Sequence, residues 1–125
     1  MSSDNKLLDR LLSDKINLLR EQIQDIKNEI HLRKRLAKKA ITEIDEQICK
    51  VRTLIYELNV NGTLRGKRAD LEREILILER EKHNQKIQCW KDIERLKREL
   101  RQVKKEYKEV VRKASVASTS SRRFR

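Results

Sequence analysis

The sequence predicts an all-α protein: a long antiparallel helical hairpin of coiled-coil type, followed by a disordered basic C-terminal tail. Three observations carry this. The 125 residues contain no Pro and only two Gly, so almost nothing interrupts a helix. Apolar residues recur at alternating intervals of three and four, the spacing of a coiled-coil seam. Both glycines fall in one short stretch near the middle of the chain. Low hydropathy and a charged fraction of 42% are also the signature of disorder, but a disordered chain has no need to keep an apolar period.

The first helix is expected over residues 1–58. Its seam reads Ile16, Leu19, Ile23, Ile26, Ile30, Ala37, Ile41, Ile44, Ile48, Val51, Ile55 and Leu58, with Arg33 as a polar member. Between Arg33 and Ile44 the steps become four, four and three, a stutter that locally relaxes a supercoil. Short polar side chains in Ser2-Ser3-Asp4-Asn5 suit an N-cap, where they accept the first free backbone N–H groups.

Residues 59–66 form the expected turn, because Asn59, Asn61, Gly62 and Gly66 tolerate the left-handed backbone that ends a helix. The second helix follows over 67–113. Its seam is Leu71, Ile75, Leu78, a polar Lys82 and Gln85, then Cys89, Ile93, Leu96, Leu100, Val103, Tyr107 and Val110, with a second stutter at Gln85-Cys89-Ile93. A turn centred at residue 62 or 63 pairs positions whose numbers total about 125. Ala37 then lies near Gln88 and the two stutters face each other. A parallel dimer of broken helices has no reason to mirror its phase shifts about one glycine-rich break. Each arm is about 45 to 50 residues, or roughly 70 to 75 Å at 1.5 Å per residue, which predicts a rod. Residues 114–125 change to a serine-rich basic composition that predicts a flexible tail.

No catalytic, metal or cofactor site is predicted, and neither is a small-molecule substrate. The sequence has no glycine-rich phosphate loop, no HExxH and no nucleophile elbow, and a two-helix rod offers no concave pocket. His31 and His83 are isolated; Glu79 with His83 reads as a solvated pair. Cys49 and Cys89 are too few for a disulfide scaffold, do not face each other in the register, and read as small apolar filler in a reducing compartment. With no transmembrane segment in view, a cytosolic or nuclear protein is expected.

Two kinds of surplus point to partners. The first is apolar. A two-helix seam uses two positions per heptad, yet Leu7, Leu11, Leu18, Leu54, Tyr56, Leu76 and Ile77 lie outside it. Leu54, Tyr56, Leu76 and Ile77 are expected to form one further stripe near the turn. Such stripes predict docking onto other coiled-coil or helical subunits, or self-association. A structural or adaptor subunit of a larger complex is therefore the leading expectation.

The second surplus is positive charge. The formal charge of +12 is distributed as +2 in residues 1–60, +7 in 61–113 and +3 in 114–125. The block Arg33, Lys34, Arg35, Lys38, Lys39 is brought by the register near Lys86 and Lys91, a basic belt. Lys97, Arg98, Arg101, Lys104 and Lys105, with Arg122, Arg123 and Arg125 in the tail, add a second basic region. These suit a sequence-independent contact with an acidic partner such as nucleic acid or a microtubule surface. Base stacking needs aromatics among the cations, and only Trp90 and Phe124 qualify; a bZIP-like reading fails because the basic block lies inside the apolar repeat. Arg112-Lys113-Ala114-Ser115 resembles the substrate motif of basophilic protein kinases, and a phosphate on Ser115 would weaken such a contact.

Overall fold

The computed structural model describes the backbone of residues 2–63 and 65–123 and the side chains of residues 5–63 and 65–116. The chain is an all-α helical hairpin. Helix α1 spans Ser2–Val60 and α2 spans Arg68–Arg123, and no strand occurs among the described residues. The expected N-cap side chains Ser2 to Asp4 lie outside the described ones, and Asn5 is already within α1. No helix among the described residues is long and apolar enough to cross a membrane.

The hairpin comprises two compact units, each with a stretch of both helices. In the unit Leu32–Ile93, Ile44, Ile48, Val51 and Leu78 form the buried core, and half-buried Ile55, Leu71 and Ile75 pack against it. Three pairs tie α1 to α2: Arg33 to Asp92 at 3.6 Å, Asp45 to Lys82 at 2.8 Å and Arg52 to Glu79 at 3.4 Å. Arg33–Asp92 keeps the expected total of 125, whereas Asp45–Lys82 totals 127 and Arg52–Glu79 131. A loop at residues 61–67 is centred on residue 64 and sets a total of about 128, and the three pairs scatter about that value because long side chains reach along the helices.

The other unit combines Met1–His31 with Glu94–Arg125. Leu19, Ile30, Leu96 and Val110 are buried in it, and Ile16, Ile23, Ile26, Leu100, Val103 and Tyr107 are half-buried. The Arg20 guanidinium sits 5.8 Å from the Tyr107 ring centroid, with its Nε donating to the phenol oxygen at 3.2 Å. An exposed cation–π contact of this kind contributes about 0.5 to 1 kcal/mol.

Helix α1 ends in a Schellman motif. Thr63 N–H donates to the Leu58 carbonyl at 2.9 Å and Gly62 N–H to that of Asn59 at 3.2 Å, and Gly62 takes φ +73°. That angle is the left-handed region in which a Cβ is strained. An added Cβ would meet no atom within 4 Å, so the strain is purely conformational. Gly62→Ala is expected to cost about 1 to 2 kcal/mol, read as a lowered midpoint in urea, while Gly66→Ala, at a glycine without a left-handed φ, should be nearly silent.

The helical backbone of α2 continues past Lys113, where the change in composition placed the end of the second helix, through Ser115 and Val116 to Arg123. Nothing in Ala114-Ser115-Val116 breaks a helix: no Pro, no Gly, and a half-buried Ala114 that prolongs the seam beyond Val110. Side chains from residue 117 onward, among them Arg122, Arg123 and Arg125, lie outside the described ones.

Candidate functional site

Every expected apolar seam position is buried or half-buried, and the residues placed outside it are exposed: Leu7, Leu11, Leu18, Leu54, Tyr56, Leu76 and Ile77. How they group follows from helix geometry. Leu7, Leu11 and Leu18 are separated by four and seven residues, which returns each to nearly the same side of α1, and each is more than half exposed. They form one stripe. Leu32 and Leu36, four apart and exposed, make a shorter one.

The expected turn-proximal stripe divides instead. Residues two apart on a helix face away from each other, so Leu54 and Tyr56 cannot share a face. Tyr56 lies one turn beyond Arg52 and Leu76 three residues before Glu79; because Arg52 and Glu79 bond each other, Tyr56 and Leu76 belong to the same flank. Leu54 joins Cys49, Lys50 and Thr53 on the outer surface of α1. Ile77 is a further 100° round α2 from Leu76.

Cys49 is exposed, which corrects its reading as small apolar filler; Cys89 is half-buried as that reading requires. The difference is one residue of rotation, since Cys49 follows the buried Ile48. Glu79 accepts from Arg52 at 3.4 Å, and His83 is exposed. Among the described residues no group of three or more His, Cys, Asp or Glu is placed to hold a metal ion.

The facing stutters leave the seam thin. At this layer it consists of Ala37 and Cys89, two small side chains, with Cys89 Sγ 4.0 Å from the Arg33 carbonyl. A groove opens on each side. One, of about 320 Å³, contains Arg33, Gln88 and Asp92: Arg33 and Asp92 cancel each other's charge at 3.6 Å, and the Gln88 amide donates to Asp92 at 3.1 Å.

The other groove, of about 450 Å³, is floored by Ala37, Ile41 and Ile93 and rimmed by Lys34, Lys38, Lys86 and Trp90. Its Thr42 hydroxyl is occupied by the Lys38 carbonyl at 2.9 Å. The lysines have no carboxylate within ion-pair distance among the described residues. Asp45 and Glu94, about two turns along the helices from Lys38 and Lys86, bond Lys82 and Lys97. Trp90, the single tryptophan of the chain, is 64% exposed.

The expected basic belt is thus brought together in part. Lys34, Lys38 and Lys86 share the groove, Arg33 turns to the opposite side, and Arg35, Lys39 and Lys91 are exposed outside both grooves. In the second basic region Lys97 bonds Glu94 at 3.8 Å. Arg98, Arg101 and Lys105 continue to Lys108 and Arg112 at intervals of three and four, all exposed, so they form a cationic stripe of which Lys104 is a neighbour. Ser115 is exposed on α2. Lys108, Arg112, Leu32, Leu36 and the groove around Trp90 had been missed; helical spacing alone would have found the first four, whereas the groove depends on how little Ala37 and Cys89 fill. Compared with protein-family models, curated proteins and solved structures, the chain matches none.

Proposed function

We propose that this protein is a non-enzymatic coiled-coil subunit, structural or adaptor in kind, that uses its seam to fold and its exposed leucines to join other helical proteins or a second copy of itself. The observation that carries the reading is the Leu7-Leu11-Leu18 stripe, three large apolar side chains on one face of α1 and all left in water. Contiguous exposed apolar surface marks interaction sites in soluble proteins. An exposed free thiol at Cys49 suits the reducing cytosol or nucleus.

A second reading, contact with a polyanion such as nucleic acid or a microtubule, is favoured by the stripe Arg98, Arg101, Lys105, Lys108, Arg112. A phosphate on Ser115, three residues after Arg112, would remove nearly two charges beside it. Ionic strength separates the readings. The Debye length shrinks from about 8 Å at 0.15 M to about 3 Å at 1 M salt. Complexes isolated with the tagged full chain from its native cell should therefore persist across that range if leucines hold them. A loss of bound protein or nucleic acid by roughly 10³-fold or more over this range would instead favour the polyanion reading.

A further inference from the structure

We propose that the groove between Lys34, Lys38, Lys86 and Trp90 is a docking site for an acidic amphipathic helix of a partner protein. The inference rests on the reading of this chain as a docking subunit and names the chemistry of one partner. Three observations converge. The seam at this layer is made of Ala37 and Cys89, so about 450 Å³ lies open above an apolar floor, room for one or two aliphatic side chains. The largest apolar side chain of the unit, Trp90, stands at the edge 64% exposed instead of turning inward to fill that space. All three charged residues at the rim are cations without a carboxylate partner among the described residues, while in the groove on the other side Arg33 and Asp92 neutralise each other.

An occupant that fits both features presents an apolar knob to the floor and carboxylates to the rim. A helix with Leu or Ile at intervals of three and four, bordered by Glu or Asp, does so with its backbone already satisfied. A nucleic-acid backbone would meet the lysines, and one base could stack on Trp90, but neither puts an aliphatic group against Ala37 and Ile41. A second copy is disfavoured by charge, since each chain carries +12. Three lysines around an aromatic also orient the partner, because misplaced acidic residues would leave the rim uncompensated.

Trp90 makes the site self-reporting, as its emission moves to the blue when the indole leaves water. The experiment titrates the full chain with a synthetic acidic amphipathic helix of about 18 residues, five turns, carrying leucines on one face. In parallel it uses the same peptide with those leucines replaced by serine, and an oligothymidylate. The leucine peptide should give a saturable blue shift. In the K34E/K38E/K86E variant its affinity should fall by roughly tenfold or more. Ala37→Leu, which fills the floor, should abolish the shift; should that variant not fold, the lysine variant, altered only at exposed positions, remains decisive.

The proposal is overturned if the serine peptide or the oligothymidylate shifts Trp90 as strongly as the leucine peptide, since the surface is then a generic polyanion contact. It is overturned equally by no shift with the leucine peptide, or by a shift insensitive to the charge reversals. The chain with Leu7, Leu11 and Leu18 changed to Glu should keep the shift, and its loss there would place the peptide elsewhere. Failure in these titrations leaves salt-resistant retention of partners untouched, so it is distinguishable from failure of the docking reading itself.

Discussion

Ile48→Asp is expected to unfold the unit formed by Leu32–Ile93, with a loss of at least about 4 kcal/mol. Ile48 is 5% exposed and belongs to the cluster with Ile44, Val51 and Leu78. Truncating such a side chain to alanine alone costs about 2 to 5 kcal/mol through lost burial and the cavity left behind. A carboxylate adds the penalty of a charge withdrawn from water, and among the described residues no buried polar side chain is present to receive it. Set against a typical domain stability of about 5 to 15 kcal/mol, the change approaches the whole. The next residue supplies the control: Cys49 is exposed, so Cys49→Asp should shift stability by no more than about 0.5 kcal/mol. Urea unfolding followed by far-ultraviolet circular dichroism checks both. Similar midpoints for the two variants would mean that the seam does not run through Ile48.

That contrast between neighbours shows which parts of the fold were legible in the sequence. A seam repeats every three or four residues and must be apolar, so Ile16 to Leu58 and Leu71 to Val110 could be assigned one by one. The break at Gly62 was equally legible, because only a left-handed C-terminal residue closes the Schellman pair at Leu58 and Asn59. The register was less so: a loop of residues 61–67 moves its own centre, and long side chains such as Arg52 reach across a turn.

Composition misplaced the end of α2, since serine disfavours a helix interior only weakly and Ala114 still belongs on the seam. Leu54 and Tyr56 were grouped by closeness in sequence, though 100° per residue sets them on different faces. The groove at Trp90 was the least legible feature. Ala37 and Cys89 satisfy the apolar repeat while leaving volume unfilled, and a repeat records polarity, not size.

If exposed leucines rather than charge hold this chain to its partners, as proposed, changing Leu7, Leu11 and Leu18 together to Glu abolishes that association. Each leucine is more than half exposed, and covering it with a partner contributes about 1 to 1.5 kcal/mol. Losing three such contributions weakens association roughly a hundred- to thousandfold, before the further cost of pressing three carboxylates against an apolar partner. The seam positions Ile16 and Leu19 are untouched, so helicity should hold. The measurement is the retention of helical partners, or of an untagged second copy, by the tagged wild-type and triple-variant chains at about 1 M salt, where charge pairs are screened. Retention by the wild type and loss in a variant that remains fully helical is the expected result; equal retention by both chains, or no retention by the wild type, would overturn the leucine-docking proposal.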